Sequence, residues 1–222
     1  MEQIIKFPKI DLSNVKGVLL DLDNTLYYYE DCHKKAIEGC YSAYKKQIDE
    51  EIYLNDFSNK YREKRNIVTK RLSLQGACRS RFFAFQEMFE EFDLDKNWEL
   101  AFKYEEIYWS TLIDNMLLTE DALALLKECK RLKIDICVVS DMTVNIQVRK
   151  LRKLGVSDYI KYLVTSEEVG EEKPSAKMFK TALKKLKLKP NEVIMIGDSE
   201  SKDIKGAEAL GIRPYKISII NI

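Results

Sequence analysis

The sequence lacks several features that mark other classes of protein. No apolar run approaches the roughly 18 residues that a membrane-spanning helix needs, and the first 17 residues lack the basic segment and apolar core of a secretory signal. Lys and Arg total 37 against 36 Asp and Glu, so the formal net charge is only +1. A chain without a strong field of one sign is predicted to bind neither nucleic acid nor a membrane surface.

Disulfide and zinc-binding patterns are missing as well. The five cysteines form no C-x-x-C pair, and the single histidine, His33, belongs to no cluster of zinc ligands. An odd number of cysteines without a signal peptide is typical of reduced thiols, which predicts a cytoplasmic protein. His33 itself is interpreted as a surface residue at the start of a helix.

Proline is absent from residues 30–115, where glycine occurs only at Gly39 and Gly76. Aromatic and aliphatic residues recur in this block at helical spacing. Helices are predicted over 31–47, 55–72, 80–92 and 97–113. An aromatic stripe at this spacing indicates the core of a helical bundle rather than a cofactor site.

Outside this block, short apolar runs alternate with amphipathic segments. Residues 1–16 are interpreted as a lead-in. Strands are predicted over Val15–Leu20, Ile134–Val139, Tyr162–Val164, Val193–Ile196 and Arg213–Ile219. Helices are predicted from an N-cap at Thr119 to Leu132 and over 143–154, 175–187 and 201–210. Strands that alternate with helices of 10–15 residues indicate βαβ units and a parallel sheet. The predicted fold is therefore an α/β core, residues 1–28 and 116–222, with a helical lobe, residues 29–115, inserted after the first strand.

Polar side chains follow each of the first four predicted strands. They are Asp21, Asp23 and Thr25 after the first strand, Ser140 and Asp141 after the second, Lys173 in the loop after the third, and Asp198 and Asp203 after the fourth. Ligands of open parallel sheets bind beyond the carboxyl ends of the strands. These residues are therefore predicted to share one site.

Several carboxylates in one site need a compensating charge. Two carboxylates about 4 Å apart repel by roughly 4 kcal/mol at an effective dielectric constant near 20, so either some are protonated or a cation neutralises them. A ligand set made only of hard oxygens favours Mg²⁺ over zinc. Ser140 and Lys173, together with backbone N–H groups where loops and helices begin, suit a phosphate dianion.

As a set, four segments resemble the motifs of the haloacid dehalogenase superfamily. They are DLDNTL at 21–26, VVSD at 138–141, EKP at 172–174 and GDSESKD at 197–203, in the order of that family. The helical lobe has the position and character of the family's inserted cap of the first type. The resemblance implies a three-layer Rossmann-like core with a four-helix cap that closes over the site.

The resemblance also implies a role for each residue. Asp21 would be the nucleophile that forms an aspartyl-phosphate, and Asp23 would protonate the leaving oxygen and then activate water. The magnesium ligands would be the Asp21 carboxylate, the Asp23 backbone carbonyl and Asp198, with support from Asp203. The phosphate ligands would be Ser140, Lys173 and the backbone N–H of Asp141, with Thr25 fixing the first loop. For Asp141 a purely structural role is an equal alternative.

The acid at position 23 limits the types of reaction that the resemblance implies. Dehalogenases and phosphonate-cleaving members of the superfamily lack an acid at the position of Asp23, so its presence favours hydrolysis of phosphate esters. The predicted function is a Mg²⁺-dependent phosphatase for a small phosphorylated metabolite, a sugar phosphate or nucleotide, acting as a monomer or dimer. Two alternatives stay open: a phosphosugar mutase on the same fold, which would need an acid–base residue in the cap, and a non-catalytic interaction protein, which the complete set of acids disfavours.

Overall fold

The structure, a computed structural model, describes residues 3–48, 51–73 and 75–221. The chain divides into two compact units, the first comprising Met1–Tyr29 and Met116–Ile222 and the second comprising Glu30–Asn115. Among the described residues, no helix combines the length and the apolar character that a membrane span would require. All five cysteines are buried, and none of them forms a disulfide.

A five-stranded parallel sheet forms the centre of the first unit. The strands in chain order are β1 (Gln3–Lys6), β2 (Gly17–Leu20), β3 (Asp135–Ser140), β4 (Tyr162–Thr165), β5 (Val193–Gly197), β6 (Arg213–Lys216) and β7 (Ser218–Asn221). The order in the sheet is β4-β3-β2-β5-β6, with each neighbouring pair parallel, and β1 pairs with β7 in a separate antiparallel sheet. The strand that carries the first two acids therefore lies in the middle of the sheet.

The second unit is helical. Its helices are α1 (Tyr29–Ile48), α2 (Leu54–Arg71), α3 (Arg81–Glu91) and α4 (Asn97–Asp114), with a short 3₁₀ turn at Gly76–Arg79. Aromatic side chains fill its interior: the rings of Phe85 and Phe89 stack with centroids 5.9 Å apart, and Phe89 meets Tyr104 edge-on at 4.8 Å. The buried rings of the aromatic stripe thus form the core of this unit, as their helical spacing predicts, whereas Trp98 and Phe102 of the same stripe are exposed.

Two layers of helices cover the parallel sheet. The helices of the first unit are α5 (Glu120–Arg131), α6 (Val144–Lys153), α7 (Ser166–Val169), α8 (Ala176–Leu186) and α9 (Lys205–Glu208), with 3₁₀ turns at Ser157–Tyr159 and Pro190–Glu192 and a π-helical turn at Glu200–Ile204. On one face, Leu19, Cys137 and Met195 pack with Met178 and Phe179 of α8. The chain neighbours of these strand residues point to the opposite face and are buried too. Burial on both faces explains the continuous apolar runs, and the predicted three-layer α/β fold is confirmed.

The prediction was wrong in three places. The lead-in contains β1, and the predicted strand Arg213–Ile219 is two strands, because its second half pairs with β1 instead of continuing the sheet. The predicted helix 201–210 is a π-helical turn followed by α9, since the Ser199 carbonyl accepts the N–H groups of both Asp203 and Ile204, at 2.9 and 3.2 Å.

His33 was also misplaced by the sequence interpretation. It is partly buried, not a surface residue, and its Nδ1 lies 2.7 Å from the hydroxyl oxygen of Tyr108. The reason is its position on α1: it precedes the buried Ile37 by one turn and so borders the packed face of the helix.

Candidate active site

The central strand delivers Asp21 to the carboxyl edge of the sheet. Leu20 pairs with Val138 of β3 and with Ile196 of β5, so the carboxyl ends of these three strands lie side by side. Asp21 still donates its N–H to the Ile196 carbonyl at 2.9 Å and is only 6% exposed. The chain then turns at Asn24, whose φ of 61° lies in the left-handed region that asparagine tolerates better than most residues.

Lys173 bridges two of the predicted acids. Its Nζ lies 2.5 Å from Asp21 Oδ1 and 2.6 Å from Asp203 Oδ1, and all three residues are buried. Burial alone would lower the pKa of Lys173, but the carboxylates of Asp203 and Asp21 outweigh it and raise this pKa above its usual value. Thr25 Oγ1 donates to Asp21 Oδ2 at 3.0 Å, so both oxygens of Asp21 have a partner.

Asp21, Asp198 and Asp203 form a three-acid cluster. Each offers one carboxylate oxygen, and these atoms lie within 4.8 Å of one another. Burial and the charges of Asp203 and Asp198 outweigh Lys173 and raise the pKa of Asp21 to about 8, while burial and the charge of Asp203 raise the pKa of Asp198 to about 6. Hard carboxylate oxygens that raise one another's pKa fit a divalent cation such as Mg²⁺.

The π-helical turn places Asp203 in this cluster. Its Oδ2 accepts the N–H of Ser199 at 3.0 Å, and its carboxylate lies against the backbone of Gly197. A Cβ at position 197 would come within 2.5 Å of Asp203 Cγ. Asp203 therefore requires a glycine at the end of β5.

The Asp23 carboxylate has different surroundings from the three-acid cluster. Lys150 Nζ lies 2.6 Å from Asp23 Oδ1, the Tyr27 hydroxyl donates to the same oxygen, and Gln147 Nε2 lies 3.4 Å from Oδ2. Burial alone would raise the pKa of Asp23, but the charge of Lys150 and these hydrogen bonds lower it. The two acids of D-L-D thus differ in their partners and in the direction of their pKa shifts.

Ser140, the last residue of β3, and Asp141, which follows it, contact different parts of the first unit. Ser140 is 1% exposed, and its Oγ accepts from Gln147 Nε2 at 2.5 Å. The Asp141 carboxylate accepts the backbone N–H of Lys173 at 2.8 Å and Lys202 Nζ at 2.7 Å. The side chain of Asp141 therefore anchors the loop that carries Lys173, while a phosphate contact through its backbone N–H stays a prediction.

The first unit brings all of the predicted site residues to one edge of its sheet. Their catalytic and binding roles stay predictions. The sequence interpretation missed four partners of these residues: Tyr27, Gln147, Lys150 and Lys202. A signal existed for α6, because its apolar periodicity assigns positions 147 and 150 to the face that also carries Leu151.

A parallel sheet with a lysine-bridged acid cluster beyond its central strand suits a hydrolase of phosphate esters. A family model described as haloacid dehalogenase-like hydrolase matches residues 15–211, and the chain belongs to this family. It is 32% identical over 196 residues to ribulose-1,5-bisphosphate 5-phosphatase of Halopiger xanaduensis, a match that spans 88% of this chain and 82% of that protein. It is 28% identical over 215 residues to glyceraldehyde 3-phosphate phosphatase of Methanocaldococcus jannaschii, spanning 91% and 85%.

A solved structure shares the fold. The 2-haloacid dehalogenase of Pseudomonas syringae superposes with a TM-score of 0.74 at 20% identity, covering 90% of this chain and 85% of that one. At this identity the likeness concerns the fold alone. The family and the phosphatase relatives confirm the predicted enzyme class, a hydrolase of phosphoric monoesters.

Proposed function

We propose that this protein is a Mg²⁺-dependent phosphatase that hydrolyses a small sugar phosphate through an aspartyl-phosphate on Asp21. The observation that carries the proposal is the separation of two nearby acids into different surroundings: Asp21 lies in a lysine-bridged acid cluster, and Asp23 pairs with a lysine of its own. Asp21, in the cluster that would hold a cation, suits the nucleophile, and Asp23, whose carboxylate lies outside that cluster, suits the acid–base residue.

Each chemical step is assigned to residues of this chain. A carboxylate oxygen of Asp21 attacks the phosphorus atom, and the bond from phosphorus to the leaving oxygen breaks as Asp23, which has taken up a proton before this step, donates that proton to the leaving oxygen. Asp23 then takes a proton from water, whose oxygen attacks the phosphorus and frees Asp21. Lys173 holds Asp21 in place and offsets the negative charge gathered around it.

The three-acid cluster supplies the proposed metal site. Asp21 and Asp198 would hold Mg²⁺ together with the backbone carbonyl of Asp23, and Asp203 would support the site directly or through water. Mg²⁺ bound there would offset the charge of the phosphoryl oxygens and lower their repulsion of an anionic nucleophile. Ser140, Lys173 and the backbone N–H of Asp141 would bind the phosphoryl oxygens, with Thr25 fixing the Asp21 carboxylate.

The two relatives guide the choice of substrate. Their names refer to ribulose-1,5-bisphosphate and glyceraldehyde 3-phosphate, which are both phosphorylated sugars, so a sugar phosphate is favoured over a nucleotide. The five buried cysteines, which form no disulfide, support the proposal that the enzyme works in the reducing cytoplasm.

Phosphate release from a panel of sugar phosphates and nucleotides tests the proposal. We expect turnover with Mg²⁺, its loss in EDTA and its return when excess Mg²⁺ is added. Asp21→Asn removes the nucleophile and should lower kcat by about a thousandfold or more, roughly 4 kcal/mol of barrier. The matched control is Asp158→Asn, at an exposed acid of the same unit.

Three outcomes separate the alternatives. Turnover that survives Asp21→Asn would exclude the covalent route. An isomeric sugar phosphate in place of inorganic phosphate, seen by phosphorus NMR, would identify a mutase. No turnover on any phosphorylated compound, together with tight capture of a partner protein, would favour an interaction protein.

A further inference from the structure

Helix α6 turns two polar side chains into the interior of the first unit. Gln147 and Lys150 lie three residues apart and so share one side of the helix. Gln147 is fully buried and Lys150 is 1% exposed, whereas Lys153, one turn further along, is exposed. Burying a lysine is costly unless its charge is paired, so this position requires a specific partner.

Asp23 is a carboxylate partner of Lys150. Lys150 Nζ lies 2.6 Å from Asp23 Oδ1 and 5.8 Å from the centroid of each of the Tyr27 and Tyr29 rings. The two aromatic faces favour the ammonium group at this place through cation–π attraction. The Tyr27 hydroxyl adds a second hydrogen bond to Asp23 Oδ1.

Gln147 connects Asp23 with Ser140, the last residue of β3. Its Nε2 lies 3.4 Å from Asp23 Oδ2 and 2.5 Å from Ser140 Oγ. With donors on both oxygens, the carboxylate of Asp23 cannot rotate without breaking a contact. Since Ser140 Oγ accepts the bond from Gln147, its own hydroxyl proton stays available for another acceptor.

We propose that Lys150 is a positioning residue that, with Gln147, fixes the plane of the Asp23 carboxylate relative to the Ser140 hydroxyl. The assignment rests on the proposed function, in which Asp23 serves the leaving oxygen and Ser140 a phosphoryl oxygen. Both groups must face one phosphate ester at the same time. A frame built from a single turn of α6 holds them at one spacing.

The frame matters only where the leaving oxygen needs a proton. General acid–base catalysis contributes about 10²–10⁴-fold, and a misplacement of about 1 Å costs about 100-fold. An alkyl phosphate depends on the proton from Asp23, because an alkoxide is a poor leaving group. The nitrophenolate of p-nitrophenyl phosphate departs without one. The effect of removing Lys150 on kcat/KM should therefore depend on the leaving group.

The test compares kcat/KM of the full chain with Mg²⁺ on glycerol 3-phosphate and on p-nitrophenyl phosphate, because this ratio reports the steps up to departure of the leaving group. For Lys150→Met we expect a loss of about 100-fold on the alkyl ester and less than about threefold on the aryl ester. The aryl ester also serves as a check that the variant folds. Lys153→Met is the control at an exposed position on the same helix.

A double variant supplies a second readout. In an Asp23→Asn background, Lys150→Met should add no further loss on the alkyl ester, because the group that it positions is gone. If Lys150→Met does not fold, Lys150→Gln keeps a donor without the charge, and an intermediate loss confined to the alkyl ester is expected.

Equal losses on both esters, or no loss on either, would overturn the assignment of Lys150. Failure of the proposed function would look different: the unmodified protein would release no phosphate from either ester, or Asp23→Asn would lower both values equally.

Discussion

Two buried lysines of the first unit form ion pairs with different acids. Lys173 bridges Asp21 and Asp203, and Lys150 pairs with Asp23. Removing one partner of a buried ion pair costs about 3–5 kcal/mol, because the remaining charge is uncompensated. The two ion pairs therefore give Asp21 and Asp23 different surroundings.

His33 shows how the charges of the helical unit act on one residue. Burial, followed by the positive charges of Arg81 and Arg65, lowers the pKa of His33 to about 4. The guanidinium carbon of Arg81 lies 5.0 Å from the ring centroids of both Tyr108 and Trp109, which keeps its charge inside the unit. His33 is therefore neutral in the folded protein at neutral pH.

We expect the ring of His33 to titrate with a midpoint near pH 4. The pKa of this ring is about 6.5 in the unfolded chain, so the unfolded state binds the proton more tightly than the folded state does. The free energy of unfolding is therefore at its full value above pH 6.5, and it decreases by up to about 3 kcal/mol as the pH falls toward 4. Proton NMR of the ring measures the midpoint directly, because the chain has only one histidine. A midpoint between pH 6 and 7 would contradict the burial of this ring. In His33→Gln, the free energy of unfolding should fall less steeply over the same range.

At the scale of elements, the exit of β5 leaves no space for a side chain at position 197. Gly197 ends the strand, the π-helical turn follows, and the Asp203 carboxylate occupies the space beside the glycine. The extra residue of a π-helical turn changes the direction in which the following side chains point, compared with an α-helix. Such turns are frequent at functional sites. The geometry of Asp203 thus depends on both features.

Gly197→Ala should displace Asp203. The new Cβ would come within 2.5 Å of Asp203 Cγ, and the carboxylate cannot yield without breaking its ion pair with Lys173. We expect the rate of phosphate release to fall about 100-fold, as for a misplacement of about 1 Å, and half-maximal activity to require more Mg²⁺. Titration of activity with Mg²⁺ measures both effects. Ser201→Ala, at an exposed position in the same turn, is the control, and equal behaviour of the two variants would refute the steric argument.

At the scale of the whole molecule, each of the two units has its own core. The first packs aliphatic residues and one phenylalanine between sheet and helix, and the second packs mainly aromatic rings between helices. Both tryptophans, Trp98 and Trp109, belong to the helical unit. Tryptophan fluorescence therefore reports the unfolding of this unit.

Phe85→Ala should destabilise the helical unit strongly. Phe85 is fully buried and contacts several rings, so its removal leaves a cavity that costs about 3–5 kcal/mol. Phe102 lies on α4 with 57% of its surface exposed, and Phe102→Ala should change the free energy of unfolding by less than about 0.5 kcal/mol. Urea unfolding followed by tryptophan fluorescence measures both values. Similar costs for the two variants would show that the aromatic core is not the main source of stability in this unit.

The sequence by itself determined the kinds of elements and the edge of the sheet where the site lies. Helical spacing, apolar runs and polar residues after strands are patterns of neighbouring residues, and they were enough to place Asp21, Ser140, Lys173 and Asp198 together. The tertiary structure decided the pairing of β1 with β7, the π-helical turn and the lysine that holds Asp23. Lys150 lies 127 residues from Asp23 along the chain. Contacts at such separations arise only when whole elements pack, because no local backbone preference encodes them.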